Sequence, residues 1–340
     1  MAATIISGAA FGVAMAAAGF HDPAAVVSQL KLENWHMGQA FLAATAASAS
    51  PNRAIYFMAE RRGYVEIPPR MSSPLGLFYK YDGNILGGAL LGMGMALGGS
   101  CPGALYAQLA AGVQSGLYAL NGAIVGGILW TGIVSKGVQQ LRKNNAVKPE
   151  RGVVNEQLGL SKGSAVLLLE TACVGAIIGT MTLHSPASGS TYSASASRIP
   201  GAVGGLLIGG AQLVSILTRR SMVGISGSYE EMGSLFWRLV GDADTMAKPA
   251  SYGNILFASG VAAGAWGFLK LLPGLVSAPM HLVSPRLAMM GGVLMAVGSR
   301  MAGGCTSGHG ISGISLLSVS SVVTIVTAFV VGALVAPLAH

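Results

Sequence analysis

The sequence is poor in charge. Of 340 residues only 9% are Asp, Glu, Lys or Arg, while 52% are hydrophobic and the mean hydropathy is +0.62. An ordinary soluble domain carries about 25% charged residues. That deficit excludes a water-soluble globular enzyme and fits a chain whose solvent is mostly lipid. Cysteine is equally scarce. Cys101, Cys173 and Cys305 cannot all pair and show no metal-type spacing, which excludes a disulfide scaffold and a zinc site. Walker loops, a Gly-x-Ser-x-Gly nucleophile elbow and His/Glu metal motifs are missing too. The expectation is a non-enzyme without metal or cofactor, and any transport it performs is passive, ion-coupled or powered by a separate subunit.

What the chain has in excess is small residues. Fifty glycines and many alanines allow membrane helices to approach closely. The net charge of +8 does not indicate nucleic acid, because the basic residues lie in loops between apolar runs and form no stripe. Residues 2–20 lack a basic leader and a clear cleavage site and read as a mature membrane segment. Apolar runs are placed near 5–20, 37–48, 84–99, 117–135, 163–183, 201–217, 252–271, 287–302 and 318–338. A full crossing takes roughly 20 residues, so the shorter runs stop near the midplane or turn back where protein covers the backbone. The expected fold is therefore an all-α integral membrane protein with about nine transmembrane helices plus short re-entrant helices. Its parts are a first membrane repeat over 1–138, a polar linker over 139–162 and a second repeat over 163–340.

With nine crossings, fifteen Lys and Arg fall on one side, among them Arg53, Arg61, Arg62, Arg70, Arg142, Arg151, Arg219 and Lys248. Lys31, Arg198, Lys270 and Arg286 fall on the other, which puts the N-terminus inside and the C-terminus outside. The halves echo each other. In each, a Gly/Met-rich helix runs into a cysteine turn, and an odd number of crossings between the copies makes the repeat an inverted one.

The two cysteine turns are Gly99-Ser100-Cys101-Pro102-Gly103 and Gly304-Cys305-Thr306-Ser307-Gly308-His309-Gly310. Helix-compatible segments follow at 104–112 and 311–318, with Pro102 suited to a first helical turn. The unpaired N–H groups at such a helix start make an anion site, and Ser100, Thr306 and Ser307 add hydroxyl donors without a fixed charge. Neutral thiols are weak donors and soft acceptors, suited to a ligand with a terminal sulfur. The competing reading of the cysteines is small buried hydrophobes; for Cys173, inside a helical run, packing is preferred. Met93, Met95, Met295 and Met301 read as core filler. Two roles stand for His309, a strap on its own turn or a donor to the anion. Asp22 before Pro23 reads first as a helix cap. Tyr229, Glu230 and Glu231 read as the start of an interfacial segment. Arg300 has two readings, snorkelling to the interface and drawing an anion inward.

These motifs, with Gly19-Phe20-His21-Asp22-Pro23 and Ser226-Gly227-Ser228-Tyr229-Glu230, resemble those of the YeeE/YedE sulfur-transport family across nearly the whole chain. The resemblance implies an hourglass-shaped multi-pass protein of the cell membrane. It also implies thiosulfate uptake, with Cys101 and Cys305 passing the ion along by S–H···S contacts. Substrate-binding candidates are then Ser100, Cys101, Gly103, Cys305, Thr306, Ser307, Gly308, His309, Gly19, His21, Ser226 and Gly227. Family members carry a cysteine in the first turn, where this chain has Ala18-Gly19-Phe20-His21. Expected partners are thiosulfate or a related sulfur anion, the lipid bilayer, and a cytoplasmic sulfur-carrier or sulfurtransferase protein. The alternatives are a membrane-embedded sulfurtransferase or redox protein carrying persulfide, and a less selective anion channel.

Overall fold

The computed structural model describes residues 1–49, 67–183, 199–241, 251–275 and 283–340. Arg53, Arg61, Arg62, Arg198 and Lys248, used above to orient the chain, lie outside the described residues. Every apolar run expected from the sequence is a helix: α1 Ala2–Ala17, α3 His36–Ala49, α4 Asp82–Gly98, α6 Gln114–Leu129, α9 Lys162–Leu183, α10 Gly201–Arg219, α12 Gly253–Leu271, α13 Pro285–Met301 and α14 Val319–Ala339. Shorter helices stand between them: α2 Pro23–Leu30, α5 Ala104–Ala110, α7 Ser135–Asn144, α8 Val154–Gln157 and α11 Gly227–Val240. The described residues contain no strand, only two isolated bridges. The protein is an all-α membrane protein. Among the described residues five stretches are long and apolar enough to cross a bilayer, and the longest of them is Gln114–Asn144, in which a π-helical turn at Trp130–Val134 joins α6 to α7.

Small residues set how these helices meet. α1 packs on α12 so closely that a Cβ on Gly12 would stand 2.0 Å from the Val261 carbonyl oxygen. In the same way α10 lies on α3, and a Cβ on Gly205 would meet the Ala40 oxygen at 2.2 Å. α13 lies between α4 and α6, and α14 packs on the other side of α4. Where lipid replaces water, such close backbone approach supplies the packing attraction that the hydrophobic effect cannot. Met95 and Met295 fill this interior and are buried, as core filler should be.

Several helices end in the left-handed region, among them α1 at Gly19 (φ 81°), α4 at Gly99 (φ 57°), α10 at Arg220 (φ 55°) and α13 just past its end at Gly303 (φ 85°). Such a residue turns the chain sharply after the last helical carbonyl, here back into the protein. After Gly19, Asp22 caps α2 as expected, accepting the Ala24 N–H at 3.0 Å. The polar stretch 139–162 begins as helix and is not a loose tether. Arg142 donates to the Pro74 carbonyl at 2.9 Å, Ser72 and Glu150 exchange hydrogen bonds, and Val154 and Val319 donate to the Leu317 and Gly152 carbonyls. The stretch thus stitches residues 72–75 of the first half to the start of α14.

Candidate functional site

The first cysteine turn is fixed by groups that reach across the molecule. Gly99 accepts a hydrogen bond from the Gln108 amide at 3.0 Å and packs on Pro23 and Val27 of α2, so the first turn of the chain backs onto the Cys101 turn. Cys101 is buried, and its sulfur accepts the Ala104 N–H at 3.4 Å. α5 begins at Ala104, where the expected helix-compatible segment starts, and the thiol caps this end of the helix. The Pro102 carbonyl accepts the Tyr229 hydroxyl at 2.7 Å. Tyr229 also stacks on Tyr106 at a ring separation of 6.0 Å. Ser228 donates to the Ile225 carbonyl at 2.7 Å, so the Tyr106 hydroxyl, 2.8 Å away, donates to the Ser228 oxygen.

That geometry corrects the expectation that Tyr229, Glu230 and Glu231 begin an interfacial segment. They open α11, and Tyr229 is fully buried because its ring and hydroxyl are both spent on the Cys101 turn. Glu231 accepts from the N–H groups of Asn254 and Ile255 and so caps α12. Glu230 pairs with Arg300, which is therefore not free to snorkel.

In the second cysteine turn the chain winds into a π-helical segment, Ser307–Gly313, rather than an α-helix starting at 311. A π-helical stretch widens the backbone spiral and recurs at functional sites. Cys305 is fully buried, 3.2 Å from the Ser307 hydroxyl, with the N–H groups of Ile225, Ser226 and Gly308 directed at its sulfur. Ser226 and Gly227 thus bring the start of α11 to Cys305, while Tyr229 of the same helix holds the Cys101 turn. The turns meet directly, since the Thr306 hydroxyl lies within hydrogen-bonding reach of the Cys101 thiol. Ser100 turns its hydroxyl to the Cys101 carbonyl at 3.3 Å.

The arrangement differs from the sequence-based picture in one chemical respect. At Cys101 the helix-start N–H expected to face an anion, that of Ala104, is directed at the sulfur, and at Cys305 the sulfur is faced by N–H groups of the Ser226 turn and of Gly308. A sulfur that accepts N–H bonds is polarised so that its own S–H donates more strongly, which makes each thiol the donor end of a short hydrogen-bond chain. His309 has both ring nitrogens engaged, Nε2 donating to the Ala302 carbonyl at 3.1 Å and Nδ1 accepting from Ser321 at 2.9 Å. Of its two readings, the strap is the one this geometry supports. His21 is buried in the first turn, and Cys173 is buried on α9, a helix packed mainly on α3.

Arg70 is the residue that sequence reasoning missed, having been counted there only as an orienting charge. Its Nε donates to the Gly308 carbonyl at 2.7 Å and Nη1 to the Gly303 carbonyl at 3.1 Å, so the guanidinium clamps both flanks of Cys305. Its own carbonyl accepts from Ser318 and Ser320, fixing the segment against α14. No motif marked it, because it reaches the turn from 233 residues away in sequence.

The chain is 25% identical over 279 residues to the thiosulfate transporter TsuA of Spirochaeta thermophila, covering 78% of each chain. Two Xylella fastidiosa proteins, each named a probable transporter, are 32% and 31% identical over 121 residues, which are 36% of this chain and 79% of theirs. Residues 17–335 match the profile of the family described as Sulphur transport, a span that takes in both cysteine turns and the Ser226 turn. The chain belongs to the Sulphur transport family.

Proposed function

We propose that this protein carries thiosulfate across the cell membrane, with Cys101 and Cys305 as successive contacts for its terminal sulfur and without making or breaking covalent bonds. The observation that carries this reading is the meeting of the two cysteine turns at Thr306 and Cys101. Turns from opposite halves of the chain place two buried thiols at one locus, each with its sulfur already accepting N–H bonds. A neutral S–H then donates to the incoming sulfur, and the hydroxyls of Ser307 and Thr306 offer weak, exchangeable contacts to its oxygens. Weak multiple contacts from neutral thiols and hydroxyls, with the nearby cation, Arg70, spending donors on the Gly303 and Gly308 carbonyls, favour release as much as binding. The name of the Spirochaeta relative supports the choice of substrate.

The path is supported by an inverted repeat in which α1, α2, α3, α4, α5 and α6 correspond to α10, α11, α12, α13, the 307–313 segment and α14. Exchanging the two sets carries the packing pairs into one another: α1 on α12 becomes α10 on α3, and α4 on α14 becomes α13 on α6. The left-handed helix ends also correspond, Gly19 with Arg220 and Gly99 with Gly303. The Xylella relatives fit the same idea, because 121 residues make up most of each of those chains.

Growth of a sulfur-auxotrophic host on thiosulfate tests the reading. Expression of the wild-type chain supports growth, and Cys101→Ala and Cys305→Ala abolish it at matched membrane abundance. Unimpaired growth with either variant refutes the thiol contacts, and sulfate flux as fast as thiosulfate flux in proteoliposomes refutes selectivity for sulfur.

A further inference from the structure

Beside the Cys305 turn lies a cavity of about 560 Å³ that the thiol contacts do not use. Its wall carries four arginines, Arg70, Arg142, Arg151 and Arg300, together with Trp130 and Ser73, and no carboxylate lines it among the described residues. Two of these cations are built in. Arg70 spends its donors on the Gly303 and Gly308 carbonyls, and Arg142 on the Pro74 carbonyl and the Ser73 hydroxyl. Neither makes an ion pair among the described residues, although Asp82 lies within electrostatic range of Arg142. Arg300 gives one nitrogen to Glu230, while its Nε is buried without a hydrogen-bond partner.

A shared cavity with three partly buried arginines, two held by neutral oxygens alone, has excess positive potential in a low dielectric. We propose that this cavity is a second anion station that binds tetrahedral sulfur oxyanions by charge and hydrogen-bond geometry, without regard to a terminal sulfur. The inference rests on the transport reading for its place in the route. Arg142 and Arg151 belong to the basic linker, so the cavity opens on the face that the charge asymmetry puts inside. Gly303 and Arg70 form its border with the Cys305 turn. An ion leaving Cys305 then passes from a site that reads sulfur to one that reads charge. The guanidinium fork suits paired sulfonate oxygens.

Trp130 supplies a readout independent of transport. In purified full-length protein, quenching of its fluorescence is isolated as the part lost in Trp130→Phe. It is measured with iodide, an anionic quencher, and with acrylamide, a neutral one, at constant ionic strength. Iodide quenching is expected to be relieved by thiosulfate and by sulfate at similar concentrations. Arg142→Gln and Arg151→Gln each raise the half-relieving concentration about threefold to tenfold, the loss of one charge-assisted contact. Acrylamide quenching stays unchanged in these variants, as does iodide quenching in Lys143→Gln, whose charge lies outside the cavity. Arg70→Lys, which keeps the charge but loses the fork, is expected to fall between wild type and Arg142→Gln. Equal iodide quenching in the wild type and the arginine variants overturns the proposal, as does relief by thiosulfate but not by sulfate. If quenching behaves as expected while uptake is absent, the transport reading fails and the anion site stands. Normal uptake with no anion response at Trp130 has the opposite meaning.

Discussion

Tyr229→Phe isolates the strap between the two halves. The change removes one oxygen and keeps the ring that stacks on Tyr106. It leaves the Pro102 carbonyl, buried beside Cys101, without the hydroxyl that now stands 2.7 Å away. An orphaned buried acceptor costs about 1–3 kcal/mol. The lower half of that range, about 1.5 kcal/mol for local opening of the turn, is roughly a tenfold rise in the open population. Tyr106→Phe is the graded comparison. It removes a donor from Ser228, whose own proton stays bound to the Ile225 carbonyl, so its cost is about 0.5–1 kcal/mol and its effect about threefold. The thiols are the assay. All three cysteines are free and buried, so a thiol-reactive dye reports opening, and peptide mass spectrometry separates the sites. Cys101 is expected to label about ten times faster in Tyr229→Phe and about three times faster in Tyr106→Phe, with Cys173 unchanged. Equal rates in all three proteins, or the reverse order of the two variants, would refute the idea that Tyr229 holds the turn.

Three further outcomes follow from the packing. Gly292→Ala places a Cβ 1.9 Å from the Ala119 oxygen, which forces α13 and α6 apart; overpacking costs about 1–3 kcal/mol and lowers the melting temperature in detergent by several degrees. Asp22→Ala removes the cap of α2 and is expected to cost about 1 kcal/mol, with Asp22→Asn largely restoring it, read by the same melt. His309→Ala leaves the Ala302 carbonyl with the Asn84 amide alone and takes the acceptor from the Ser321 hydroxyl, which lowers the yield of folded protein, while His309→Gln, which can still bond to one of them, retains part of it; equal melts for the two variants would show that His309 is not a strap.

The helical framework was legible because its signal is local. Apolar runs and small residues predict where helices form in lipid, and each expected run is a helix. The left-handed ends were legible at Gly19, Gly99 and Gly303, where glycine is the natural residue for positive φ. The end of α10 was hidden, since Arg220 adopts the same region with an ordinary side chain. The reading of α11 failed for a related reason. Ser228-Tyr229-Glu230-Glu231 has an interfacial composition, and nothing in the string shows that Tyr229 and Glu231 are taken up by Pro102 and by the start of α12.

The site divides along the same line. Cysteine, glycine and small hydroxyls at corresponding turns are a pattern one can read, and the structure does bring Cys101, Thr306, Cys305, Ser307 and Ser226 together. What the pattern misassigned was the use of the helix-start N–H at Cys101, because only coordinates show that the sulfur takes it. What it omitted was Arg70, and the omission has a physical cause. A loop arginine contributes to orientation whatever it touches, so its charge was already accounted for. Its guanidinium, however, clamps the carbonyls of Gly303 and Gly308, and so stands between the thiol and the arginine-lined cavity. Among the described residues the Cys101 turn is held instead by neutral tyrosine and glutamine. The two halves therefore share a backbone plan but not its electrostatics. On the proposed route an anion meets neutral groups at one cysteine and a cation behind the other.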